Sequence, residues 1–233
     1  MIHRETDDHL APAVRRLLPD AAAVLMVWGL ILAFLWPLVT PDQSVRQYFG
    51  RGDLTDQFFA FRSFIAAELW AGHLPLWNPF IYAGHPALAD IQSAVFYPLT
   101  LICTLLAGRG GLPFYALQVE VLVDLWLGAL FMYMFASQIT ERRGSAMLAT
   151  LVFSLGGFLT SYPTEQLPVL EGAIWLPLAL FFAHRGCQGR READSGGAGR
   201  RLPLTSADRG VVWSGVALGV SVLAGHPQVS MLA

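Results

Sequence analysis

The chain has 233 residues, 55% of them hydrophobic and 14% charged, with a mean hydropathy of +0.50 and a formal net charge of −2. Ordinary soluble domains carry about a quarter charged residues, so this composition excludes one and indicates a bilayer-embedded protein; the slight negative charge excludes a basic nucleic-acid-binding surface. Cys103 and Cys187 lie far apart without CxxC or Cys/His neighbours, which argues against a structural disulfide or zinc site.

In chain order, an N-terminal stretch at 1–19 precedes a first apolar run at 20–39, and further runs follow at 112–136, 146–162, 170–184 and 211–225. Each approaches the ~20 residues needed to cross a hydrocarbon core. The first run does not read as a cleaved signal peptide, because its exit, Trp36-Pro37-Leu38-Val39-Thr40-Pro41, lacks a small-x-small cleavage site.

A sixth run at 94–107 decides the topology. All 15 basic residues are arginines. If 94–107 crosses and the N-terminus is cytoplasmic, four arginines fall inside and eleven outside; if it lies on the outer surface, the count reverses. The positive-inside rule favours the surface placement, and fourteen residues with Pro98 near their start suit a juxtamembrane helix. The expected architecture is all-α and polytopic: a cytoplasmic 1–19, a span at 20–39, an extracytoplasmic loop at 40–111, and a bundle of about four spans at 112–233. An Arg-rich cytoplasmic connector occupies 185–210. The chain stops nine residues after the apolar run ending at Ala224 and reads as the N-terminal part of a longer membrane protein.

Within the loop, Phe58, Phe61, Ile65 and Leu69 recur at three- and four-residue steps, predicting a surface helix over 56–70. Gly72, Pro75, Pro79, Gly84 and Pro86 break regularity, and Pro98 opens a second surface helix. Trp70, Trp77, Tyr82 and Tyr97 suit an interfacial aromatic belt.

Asp53 and Asp56 stand three residues apart at the start of the first surface helix. Such a pair could hold a divalent cation (Mg or Mn), or one member could take a proton from an attacking hydroxyl. The competing reading has Asp53 or Thr55 capping the helix and Asp56 complementing its dipole. Trp77, Asn78 and His85 form a second cluster, with Trp77 to stack on a sugar, Asn78 to read hydroxyls and His85 to carry a proton or meet a phosphate. A rigid Pro/Gly loop satisfying its own backbone explains them equally.

Glu120 and Asp124 lie inside the 112–136 run, where carboxylates face a cavity or a partner. They line a substrate channel or hydrogen-bond to a neighbouring helix; both readings stay open. Two Gly-His-Pro tripeptides, at 84–86 and 225–227, fall on one face in this topology, together with the loop Ser161-Tyr162-Pro163-Thr164-Glu165-Gln166. Glu165 and His226 are candidates there, although Gly225 and Pro227 are also ordinary helix stops.

The Gly52-Asp53-Leu54 start with Gln57 resembles the YfhO family of bacterial multi-pass membrane proteins, within the GT-C glycosyltransferases. So do Leu74 to Pro79, Gly84 through Gln92 to Leu99, Gly156-Gly157-Phe158, Trp175 to Leu178, and Gly225-His226-Pro227-Gln228. The resemblance implies a bacterial inner-membrane enzyme moving a sugar from a polyisoprenyl-phosphate donor to an extracytoplasmic acceptor, a cell-envelope glycan or lipid. It makes Asp53 the base, with Asp56, Gln57, Trp77, Asn78, His85, Gln92, Glu165, His226 and Gln228 as substrate-binding candidates. Where the family often has a His before the Trp-Leu-Pro motif, this chain offers Glu165 and Gln166.

A departing phosphate needs positive charge, for which Arg46, Arg51 and Arg62 are the outer-side cations. Arg62 reads equally as a side chain snorkelling to headgroups. The rival readings are a non-catalytic assembly or accessory protein of the same fold, and a lipid or solute transporter using Glu120 and Asp124.

Overall fold

The computed structural model describes residues 5–50, 52–161, 165–195 and 206–231. Arg4, Arg51, Tyr162 to Thr164, most of the glycine-rich connector with Arg200 and Arg201, and Leu232-Ala233 lie outside the described residues. Every regular element among those described is helical. Four helical stretches are long and apolar enough to cross a membrane: Leu18–Val39, Phe114–Ile139, Arg143–Thr160 and Leu167–Arg191.

Helix α1 (Glu5–Val39) buries Ala23, Val27, Ile31, Leu35 and Val39, one residue per turn, and leaves Leu25, Met26, Leu30, Phe34 and Trp36 exposed. A single inward stripe with apolar residues around it is what a helix at the lipid-facing edge of a bundle requires. α4 (Phe114–Ile139) is the central span and buries residues along its whole length, from Leu117 to Ala136. The indoles of Trp28 and Trp126 stack at 5.3 Å and exchange hydrogen bonds, each Nε1 donating to the other residue's backbone carbonyl at 2.9 and 3.1 Å. This pair fixes α1 against α4 with both indole donors satisfied where no water can serve them.

The chain's ends of span are set by polar ties. At one end, Tyr115 donates to the Val39 carbonyl and Gln118 to those of Leu38 and Gln47, while Arg46 donates to the Thr40 and Pro41 carbonyls and stacks on the Tyr115 ring. The carbonyls left open where α1 stops at Pro41 are thereby satisfied. At the other end, Asp20 of α1 accepts from Tyr133 of α4 and from Arg143, the first residue of α5 (Arg143–Leu155).

Between α1 and α4 lie a π-helical turn at Leu54–Phe58, α2 (Phe59–Trp70) and α3 (Pro98–Ala107). α3 has 10 residues, too few to cross. α2 corrects the expectation of a helix lying flat on the surface: Phe61, Arg62, Ile65 and Ala66 are all buried, and the helix packs into the bundle. Trp70 closes its end by donating to the Thr104 carbonyl of α3 at 2.8 Å.

After α5, Gly156 breaks the helix and a short α6 (Gly157–Thr160) continues the span. The next span is itself broken, into α7 (Leu167–Ala173) and α8 (Leu176–Ser195), separated by Ile174-Trp175 just before Pro177. Proline cannot donate into the preceding turn, so the break frees carbonyls that other elements satisfy. Ser221 donates to Gly172 at 2.8 Å, and the Tyr97 hydroxyl approaches the Glu171 carbonyl at 3.5 Å.

The expected fifth span at 211–225 falls in α9 (Ser206–Leu223), which is not among the four stretches apolar enough to cross. Asp208 and Arg209 occupy its first turn, and Gly210, Gly215 and Gly219 lower its apolarity. It lies against α8, with Gly186 and Gly210 in such close approach that a Cβ on Gly210 would sit 2.5 Å from the Gly186 Cα. α10 (Pro227–Met231) then folds back onto α7 at Gly172.

Candidate functional site

Asp53 is exposed at the start of the π turn and makes no capping hydrogen bond. The local polar work falls to Thr55, whose hydroxyl receives the Gly52 N–H at 3.2 Å and lies 2.9 Å from the Gly52 carbonyl. The Asp53 carboxylate accepts instead from the Gln166 amide, more than a hundred residues away. Glu165 lies beside Gly52, its Cδ 3.9 Å from where a Cβ would stand. Helix punctuation is therefore not what orients Asp53; a tie between two separate segments is. A π turn at such a position is a recurrent feature of functional sites.

A second chain of contacts runs alongside. Gln57 donates to the Gln92 side chain at 2.8 Å, the Gln92 N–H donates to Asp90 at 2.9 Å, and the other Asp90 oxygen meets His85 Nε2 at 2.8 Å. His85 in turn pairs its backbone with Asn78 through two hydrogen bonds of 2.7 and 2.8 Å. Its ring stacks on Phe61 and meets the edge of Tyr82.

The two Gly-His-Pro tripeptides reach this network from different directions. Gly84 adopts φ +115° with its Cα against the Trp77 indole, and Gly225 adopts φ +94° with its Cα against the Ile91 carbonyl. A Cβ would come within 2.4 Å of the indole at the first and 2.3 Å of the carbonyl oxygen at the second, so only glycine fits either place. His226 follows at once, half-buried, with a buried Nδ1 that has no hydrogen-bond partner.

Asp53, Gln57, Gln92, Glu165 and the Gly225-His226 turn thus gather at one end of the bundle. Trp77 and Gln228 are exposed, and Trp77 presents an open indole face. Asn78 is a correction: it is 3% exposed, and its side chain accepts the Phe80 N–H at 2.9 Å, so it shapes its own turn rather than meeting a hydroxyl. Asp56 accepts from Thr55 at 3.0 Å. Among the described residues no group of three or more His, Cys, Asp or Glu side chains is placed to hold a metal ion. Asp53 and Asp56 each hold one donor from the protein.

The cation assignments change too. Arg46 is spent on the end of α1. Arg62 neither snorkels nor faces a departing phosphate: it is 3% exposed, and its Nη2 lies 2.5 Å from Glu171 of α7 and 3.8 Å from Glu120 of α4. Asp124, one turn on, lies 3.5 Å from the Tyr97 hydroxyl, which also accepts from the Trp175 indole at 3.0 Å. Glu120 and Asp124 therefore face protein partners rather than bulk water, as the neighbouring-helix reading expected.

Burial opposes the Arg62 charge, but the carboxyl groups around it, Glu171 first, outweigh it and hold the guanidinium above its ordinary value. Burial pushes the Tyr97 hydroxyl well above the usual tyrosine range and raises the Cys103 thiol.

Sequence reasoning missed Glu171 and Asp90. Glu171 carries the same signal that singled out Glu120, a carboxylate in an apolar run, but it stood at the edge of the expected 170–184 segment. No family model, curated protein or solved structure matches this chain.

Proposed function

We propose that this chain is a multi-pass membrane glycosyltransferase of GT-C type, moving a sugar from a polyisoprenyl-phosphate donor to an extracytoplasmic acceptor, with Asp53 as the general base. One observation carries the reading: the Asp53 carboxylate is exposed, is not used as a cap, and is oriented by Gln166 from a separate segment. The family resemblance of the surrounding motifs supports it.

In the proposed reaction the acceptor hydroxyl oxygen forms a bond to the anomeric carbon as its proton passes to Asp53. The anomeric carbon–oxygen bond breaks, and its electron pair leaves on the lipid phosphate. Gln166 holds the carboxylate so that one oxygen stays free for that proton. Trp77 and Tyr82, both exposed, supply aromatic faces of the kind that stack on sugars, and Gln57, Gln92, Glu165, His226 and Gln228 supply polar groups for hydroxyls. No step is routed through a metal ion.

The side of the membrane belongs to the same proposal. The end carrying Asp53 holds Arg46, Arg62 and Arg109, whereas Arg142, Arg143, Arg185, Arg190, Arg191 and Arg209 lie at the other. That asymmetry supports a cytoplasmic N-terminus and an extracytoplasmic Asp53 in a bacterial inner membrane.

The test is replacement of the chromosomal copy by Asp53→Asn, followed by mass spectrometry of envelope glycans and lipids. Loss of a sugar-bearing species, with the variant inserted at wild-type level, is the expected result. An unchanged glycan profile in cells where deletion of the whole chain removes that species would replace the catalytic reading with the accessory one.

A further inference from the structure

The buried group formed by Arg62, Glu120, Asp124 and Glu171 has no part in the reaction above, and its chemistry is independent of it. Three carboxyl groups and one guanidinium are enclosed together, with side-chain exposures of 4% for Arg62, 1% for Glu120 and 0% for Glu171, and Asp124 fully buried. The groups facing them come from every neighbouring element: Arg62 from α2, Tyr97 from the segment before α3, Cys103 from α3, Glu120 and Asp124 from α4, Glu171 and Trp175 from the broken span. Arg62 is the one cation among them, and the chain contains no lysine.

Two counts disagree if every carboxyl is ionised. The charge count leaves two negative charges in excess of the one guanidinium among fully enclosed side chains, where an uncompensated charge is strongly disfavoured. The donor count also fails. Both Glu120 oxygens, Asp124 Oδ2 and Glu171 Oε2 receive no hydrogen bond, and Arg62 Nη1 makes none.

We infer that Glu120, Asp124 and Glu171, gathered around Arg62, form a buried proton-binding site in the membrane bundle that holds two protons at neutral pH. Glu171 stands nearest the guanidinium, at 2.5 Å, and the three carboxyl groups share the two protons. Asp124 lies 3.5 Å from the Tyr97 hydroxyl, which accepts from the Trp175 indole. Arg62 lies 3.8 Å from Glu120 as well, so occupancy of the site decides how the single guanidinium on α2 is shared between α4 and α7.

The full chain in lipid nanodiscs, observed by infrared spectroscopy at pH 7 in H2O and D2O, tests this directly. Exposed carboxylates are ionised at that pH, so a carbonyl-stretch band of protonated carboxylic acid that shifts in D2O reports buried acids. The expected spectrum shows that band in the wild type. Glu120→Gln and Asp124→Asn each lose about half of it, and the double variant all of it. Arg62→Gln, which removes the cation of the group, raises the band by about half as the third carboxyl group also takes a proton. The amide band in the same spectra shows whether each variant keeps its helices. A helical wild type lacking the acid band, a band unmoved by both single substitutions, or a band that emerges only when sodium is withdrawn would each overturn the inference, the last by showing a metal cation in the protons' place.

Discussion

Arg62 and Glu171 are 109 residues apart in sequence and 2.5 Å apart in space, and they join the helix following the π turn to the half-helix ahead of Pro177. The same two stretches are tied again where Asp53, nine residues before Arg62, meets Gln166, five residues before Glu171. A buried tie and an exposed one therefore fix the orientation of one segment on the other.

Removal of Arg62 leaves Glu171 without its cation, so that it must either stay charged and unpaired or take a proton, at a cost in both cases. Arg62→Met is expected to cost about 3–5 kcal/mol. The double variant Arg62→Met/Glu171→Met costs less than Arg62→Met alone, because no unpaired ion remains. Thermal unfolding of the purified variants in one detergent checks the order of the two melting temperatures. Equal or greater loss in the double variant would show that the ion pair itself, and not the stranded charge, carries the stability.

The two Gly-His-Pro turns give a local test. Gly225→Ala forces a Cβ into the Ile91 carbonyl at a positive φ, an arrangement costing about 1–3 kcal/mol. The strain is expected to detach the Gly225-His226 turn from Gln92 and to speed proteolytic cleavage near 84–96, while the spanning helices stay intact. Gly215→Ala, on an open stretch of α9 where nothing lies within 4 Å of a new Cβ, serves as the control and leaves cleavage unchanged.

The Trp28–Trp126 pair is expected to show coupling. Each indole both stacks and donates to its partner's backbone, and aromatic pairs of this kind contribute about 0.5–1.5 kcal/mol beyond their burial. A double-mutant cycle with Trp28→Leu and Trp126→Leu measures it. Strict additivity would mean that the stacking holds nothing that general packing does not.

How far these relationships could be read in advance depended on the kind of pattern involved. The α1 stripe from Ala23 to Val39 and the shortness of the helix after Pro98 follow from periodicity and length, which are local properties. The helix over 56–70 was equally visible, but its environment was not. Phe58, Arg62, Ala66 and Leu69 follow the same three- and four-residue steps as Phe58, Phe61, Ile65 and Leu69, so Arg62 belonged to the apolar stripe all along. What assigned it to the interior was the presence of Glu120 and Glu171 on other helices, and that pairing spans over a hundred residues. Gln166 is similar: nothing near it in sequence points to Asp53. Asn78 went the other way, because a polar side chain that caps its own turn looks the same in sequence as one that waits for a ligand.

The two native cysteines provide the last prediction without any substitution, since both are unpaired thiols. Cys187 is exposed near the arginine-rich end of α8, whereas Cys103 is half-buried in α3, its thiol raised chiefly by burial. Maleimides react with the thiolate, and a raised thiol loses its proton only at higher pH, so the reactive form of Cys103 is absent through the neutral range and grows as pH climbs above the ordinary cysteine value. In detergent, Cys187 is expected to label fast at pH 7 and Cys103 to lag far behind, the gap narrowing in alkali. In intact cells a membrane-impermeant maleimide is expected to spare Cys187 and to reach it in inverted vesicles, the result that the arginine asymmetry demands. Labelling of Cys187 from outside intact cells would turn the bundle over, carry Asp53 to the cytoplasmic face, and end the proposal of an extracytoplasmic acceptor.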